Sequence, residues 1–161
     1  MSWLTRGYRC RCTQPTSSPT RPRDVSELLV DAELPLGPLD LTATYHDACH
    51  LVHGQRIRRE PRALLGRVPG LRLVDLAESE LCCGSAGIYN LLEPDMADRL
   101  LERKLDRIVE TGARAVVTAN PGCMLQIAKG ARARGLDLEV LHPVEVLARA
   151  VDARAAKGVT P

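Results

Sequence analysis

The chain has 161 residues, 45% apolar and 26% charged, with a formal net charge of +2. That length suffices for one domain with its own core, and the near-balanced charge leaves no basic footprint for nucleic acid or an anionic membrane surface. Phe is absent and the aromatics are Trp3, Tyr8, Tyr45 and Tyr89, too few for a base-stacking platform, while no apolar run approaches the ~20 residues that span a bilayer.

Residues 1–23, "MSWLTRGYRCRCTQPTSSPTRPR", contain no acidic residue and are crowded with Pro, Ser and Thr. They lack the apolar centre of a secretory signal, and Pro15, Pro19 and Pro22 break any amphipathic transit helix, so a disordered basic tail is expected. Cys10 and Cys12 fall in this tail and read as incidental. Without a secretory signal, the cysteines are expected to serve metal or redox chemistry rather than disulfides.

Val25, Leu28, Leu29 and Ala32 have helical spacing, and "PLGPLD" (35–40) ends that segment. "LTATYH" (41–46) predicts a first strand, a basic helical stretch follows around 60–67, and "LRLVDL" (71–76) predicts a second strand. The clearest helix is "PDMADRLLERKLDRIVETG" (94–112), with Met96, Leu100, Leu101, Leu105, Ile108 and Val109 as its apolar stripe. "ARAVVTA" (113–119) is near-continuously apolar, as a buried parallel strand should be. A helix capped by Asn120 then runs to Gly135, "LDLEVLH" (136–142) predicts a fourth strand, and 143–155 closes with Val144, Leu147, Ala148 and Val151 inward. This alternation predicts an α/β fold: a parallel four-stranded sheet with helices on both faces, in a single domain over 24–155 followed by a flexible end at 156–161.

The cysteines fall where such a sheet binds ligands, beyond the carboxyl ends of its strands. Cys49 follows the first strand, Cys82 and Cys83 the second, and Cys123 the third, while His142 closes the fourth. Buried hydrophobes placed at random would scatter through strand and helix interiors. Cys123 would be about the third residue of its helix, where free N–H groups favour a thiolate. In "CCGSAGIYN", Gly84 and Gly87 permit the bend that lets adjacent sulfurs converge. Four thiolates suit an iron–sulfur cluster or an all-cysteine zinc site equally well. His46, His50 and His53 have spacings that one helix would align, but capping or lining the site is the commoner role for such histidines.

"DACH" (47–50), "LCCGSAGIYN" (81–90) and "NPGCMLQ" (120–126) resemble the cysteine-rich CCG domain of heterodisulfide-reductase-like iron–sulfur proteins. Within that family the sequence is similar to the C-terminal part of the iron–sulfur subunit of bacterial glycolate oxidase, from about residue 24 to about 150. The resemblance implies that Cys49, Cys82, Cys83 and Cys123 bind a cluster of the [4Fe–4S] type, with zinc as the alternative. It implies a non-catalytic electron relay beside a flavin subunit that oxidises glycolate or a similar 2-hydroxy acid. The alternatives are a lactate-utilisation, anaerobic glycerol-3-phosphate dehydrogenase or heterodisulfide reductase type of subunit, or a structural zinc domain. The implied location is the cytoplasm or, through the complex, the inner face of the cell membrane. Two departures stand out. Where the broader family ends in C-x-x-C, this chain has Cys123 followed by Gln126. Ferredoxin-type cysteine runs and a second CCG copy are absent, which predicts a truncated subunit.

Overall fold

The structure, a computed structural model, describes residues 23–156 and residue 158. The expected tail, with Cys10 and Cys12, and most of the expected flexible end lie outside these residues.

Helix α1 (Val25–Leu29) opens on a reciprocal cap: Asp24 accepts from the Ser26 amide and Glu27 accepts from the Asp24 amide. It is shorter than its apolar spacing predicts, and Leu28 is exposed. The Arg67 guanidinium donates to the carbonyls of Leu29, Val30 and Ala32, satisfying the acceptors that a short helix leaves open.

Strands β1 (Leu41–Tyr45), β2 (Leu71–Val74), β3 (Ala115–Val117) and β4 (Glu139–Leu141) form one all-parallel sheet in the order β2-β1-β3-β4. The chain steps outward from β1 to β2, crosses back to β3 on the other side of β1, then steps to β4. Crossovers of one hand running in opposite directions place their helices on opposite faces.

The packing shows this. On one face, α4 (Pro94–Glu110) and α5 (Pro121–Ala133) bury Leu101, Leu105, Ile108 and Ile127 against Val116, and Cys83 and Cys123 belong to the same layer. On the other face, α2 (Glu60–Leu65) and α6 (Pro143–Ala156) bury Leu65 and Val146 against Ala43, Tyr45, Ala115 and Val117. Alternate residues of β3 thus serve opposite layers, the period-2 rule of a doubly covered strand. Helix α5 lies close against α4 at Gly130, where a Cβ would stand 2.7 Å from a Leu105 methyl.

Two helices are rotated from their expected faces. In α4, Ala97 and Lys104 are buried while Met96 and Val109 are exposed. The loop before α4 rests on Ala97, and Lys104 reaches inward to a polar partner, so burial follows the contacts and not hydropathy. In α6, Pro143, Val146, Leu147 and Ala150 face inward, and Val144 and Ala148 do not.

Leu105 sits fully buried at the centre of the α4–α5 layer. Replacing it with Ala should lower the unfolding free energy by about 3 kcal/mol, read as a shift of the urea midpoint with unchanged slope.

Candidate metal centre

In the order β2-β1-β3-β4 the crossovers leave in opposite directions from β1 and β3, and the crevice between their carboxyl ends is the topological switch point. β1 leads into His46, Asp47, Ala48 and Cys49; β3 leads through Thr118 and Ala119 to the Asn120 cap of α5. The Asn120 side chain accepts from the Cys123 amide at 3.0 Å, which fixes Cys123 as the third residue of its helix.

The paired cysteines arrive on the segment between β2 and α3 (Tyr89–Leu92). Gly84 has φ +89°, and a Cβ there would stand 2.3 Å from the Ala97 carbonyl oxygen, so the loop can lie against α4 only with glycine at this position. The Gly84 amide donates to Cys82 Sγ at 3.3 Å, curling the loop around that sulfur. Cys82 adjoins Cys83 in sequence, and the Cys83 thiol lies against that of Cys123 across the pocket. A ring nitrogen of His46, Cys83 Sγ and Cys123 Sγ all lie within 4.8 Å of one another, and all three residues are buried.

Cys49 is half-buried and lies outside that trio, as does Cys82. It precedes a π-helical turn, His50–Gln55, whose Leu51 packs with Ala48, Ile57 and Ala119 beyond the strand ends. The histidines do not share one helix. His46 extends β1, its amide donating to the Val117 carbonyl at 2.9 Å. His50 is exposed and accepts from Asn120 Nδ2, His53 is exposed, and His142 accepts from the Val144 amide as the cap of α6.

One carbonyl organises this region. Ser79 O accepts from the Asp47 amide at 3.1 Å, from His46 Nδ1 at 3.0 Å and from Lys104 Nζ at 3.4 Å, while Lys104 also donates to Glu78 O at 2.5 Å. The residue that hydropathy passes over is Lys104, a fully buried cation inside the α4 stripe. Burial pushes its amine down to about 8, against the opposing pull of Cys83 and the nearby carboxylates. Burial, then the Lys104 charge, pushes the His46 imidazole down to about 4, so it is neutral near pH 7. Beneath them, Arg62 holds both carboxylate oxygens of Asp47, at 2.6 and 2.7 Å, and lies over the Tyr45 ring.

The donor set suits a cation. Contact with Cys123 pushes the Cys83 thiol up to about 11, and contact with Cys83 pushes Cys82 higher still, because neighbouring sulfurs cannot ionise together unaided. A bound metal reverses that penalty by deprotonating its thiol ligands outright. Three buried side-chain atoms near the crevice also have no hydrogen-bond partner among the described residues: His46 Nε2, Thr118 Oγ1 and Gln126 Nε2. Gln126, one turn beyond Cys123, has its Oε1 occupied by Asn90 Nδ2.

Comparison with known proteins places this geometry in context. Residues 43–128 match the CCG family, described as a cysteine-rich domain. The chain is 36% identical over 127 residues to a subunit of the fumarate reductase (CoM/CoB) of Methanothermobacter marburgensis, covering 77% of this chain and 26% of that protein. It is 36% identical to the glycolate oxidase iron–sulfur subunit of Escherichia coli, covering 81% of this chain and 33% of that protein. Lactate utilization protein A of Oceanobacillus iheyensis is 31% identical, with 77% and 52% covered. The chain thus spans between about a quarter and a half of the length of these relatives.

Two substitutions probe the scaffold. Gly84→Ala should cost about 3 kcal/mol in urea unfolding, because the left-handed backbone and the Ala97 carbonyl both oppose a Cβ. Arg62→Ala acts through Asp47, whose carboxyl burial pulls up but whose Arg62 hydrogen bonds hold below the usual carboxylate value. In the parent, the stability from this pair is fully present above the unfolded carboxylate pKa and is lost as pH falls through the depressed one. The variant should lose about 3 kcal/mol at pH 7. Its deficit should shrink in acid, where Asp47 takes up a proton, and parallel unfolding curves from pH 7 to pH 3 read this out.

Proposed function

The chain belongs to the CCG family of cysteine-rich domains, and on that premise we propose that it is an iron–sulfur electron-transfer domain of an oxidoreductase of the glycolate oxidase type. Cys49, Cys82, Cys83 and Cys123 hold a [4Fe–4S] cluster in this reading. The observation that carries it is the meeting of the buried Cys83 and Cys123 sulfurs at the β1–β3 switch point. The names of the relatives support it: an iron–sulfur subunit of glycolate oxidase and a fumarate reductase subunit.

The cluster would supply one-electron redox chemistry, whose potential depends on burial, net charge and hydrogen bonds to sulfur. The protein sets each of these. Leu76, Leu101 and Ile127 pack in the same layer as Cys83 and Cys123 and keep water from the sulfurs. Lys104 places a positive charge near them and offsets anionic ligands, and the Gly84 amide donates to the Cys82 sulfur. Electrons would come from a flavin-bearing partner that removes hydride equivalents from glycolate or a similar 2-hydroxy acid, with this domain as relay. No helix among the described residues is long and apolar enough to cross a membrane, and in this reading the flavin-bearing partner carries the domain to the inner face of the cell membrane.

Anaerobic purification followed by iron and acid-labile sulfide assay tests the reading. Matching iron and sulfide with a broad visible absorbance is expected, and Cys82→Ser or Cys123→Ser should abolish both. A colourless protein with stoichiometric zinc and no sulfide would overturn it.

A further inference from the structure

His46 is the one histidine that the fold carries into the sulfur pocket. Its ring is 1% exposed, and a ring nitrogen stands within 4.8 Å of both Cys83 Sγ and Cys123 Sγ. Nδ1 lies 3.0 Å from the Ser79 carbonyl, which only accepts, so Nδ1 carries the hydrogen and Nε2 carries the lone pair. That lone pair is buried and has no hydrogen-bond partner among the described residues. A lone pair left in this state costs free energy until a proton or a metal ion takes it. The arrangement is the one that orients a metal-bound histidine: the far nitrogen is fixed by a carbonyl, and the ring is held by packing.

We propose that His46 Nε2 is a direct ligand to iron in the bound cluster, in place of the Cys49 thiolate, which lies outside the buried trio of His46, Cys83 and Cys123. The inference rests on the iron–sulfur reading above and changes one of its four donors. Ser79 is then a positioning residue, acting through its carbonyl on Nδ1. Replacing thiolate character by imidazole raises the potential of an iron–sulfur centre, as in centres where histidines replace cysteines.

The test uses the full chain, purified anaerobically and reduced to its paramagnetic state, with iron and sulfide assayed on the same sample. Pulsed electron paramagnetic resonance should show a strongly coupled nitrogen that changes on labelling with [15N]histidine. That signal should persist in the triple variant His50→Gln, His53→Gln, His142→Gln, which leaves His46 as the sole histidine, and should vanish in His46→Gln. The chain has only four histidines, so the triple variant decides the assignment even if His46→Gln does not fold. Iron and sulfide present with no coupled histidine nitrogen would overturn the ligand and leave the proposed function standing. Absence of iron and sulfide would overturn both.

Discussion

The carbonyl of Ser79 takes hydrogen bonds from a backbone amide on the extension of β1, from the imidazole next to it, and from an amine that crosses from the middle of α4. A carbonyl oxygen has two lone pairs, and three donors make this one the anchor of its region. It ties the segment that carries Cys82 and Cys83 to the strand that leads to Cys49 and to the helix that covers the pocket. Residues 75–88 contain no helix or strand, so such side-chain contacts and the packing of Leu76, Cys83 and Gly84 against α4 fix where the paired sulfurs lie. Glu78, at φ +55° just before the anchor, is held from outside by Arg103 and Arg107 of α4. The loop is therefore gripped from inside by Lys104 and from the surface by two arginines one helical turn apart.

Charge follows the same plan. Asp47 is buried but paired, bidentately, with a half-exposed arginine. Among the described residues Lys104 is buried without a carboxylate in hydrogen-bond contact, and carbonyl oxygens with nearby thiols take that place. An ammonium in such surroundings is expensive unless negative charge accumulates beside it. The neighbouring sulfurs of Cys83 and Cys123 are where that charge would gather. Lysine and cysteines thus explain one another better than either is explained alone.

Much of this is legible in the sequence. Each strand shows itself as a short apolar or β-branched run between Gly and Pro breaks, and Asn120 announces both the start of α5 and the place of Cys123. The order of the strands is not legible, since no local signal says that the third strand crosses to the far side of the first. The turn 50–55 and helix α3 also escape a sequence reading: the first has π-type bonding with no propensity signature, and the second is four residues long. Hydropathy alone misplaces the inward faces of α4 and α6, because Lys104 is pulled in by carbonyls and Ala97 is covered by a glycine loop. By spacing, His46 reads as one of three histidines on a helix; only the end of β1, fixed by the Val117 carbonyl, separates it from its neighbours.

A pocket assembled from three loops also has an order of events built into it. Cys83 and Cys123 are 40 residues apart in the chain and come together with His46 only when β1 lies between β2 and β3. The fold must therefore close before the site exists to receive anything. The metal-free domain therefore has to stand on its own core, with crowded thiols and an unsatisfied imidazole as standing costs. Whatever occupies the pocket removes those costs, and its release would be felt first in the Ser79 loop and last in the sheet.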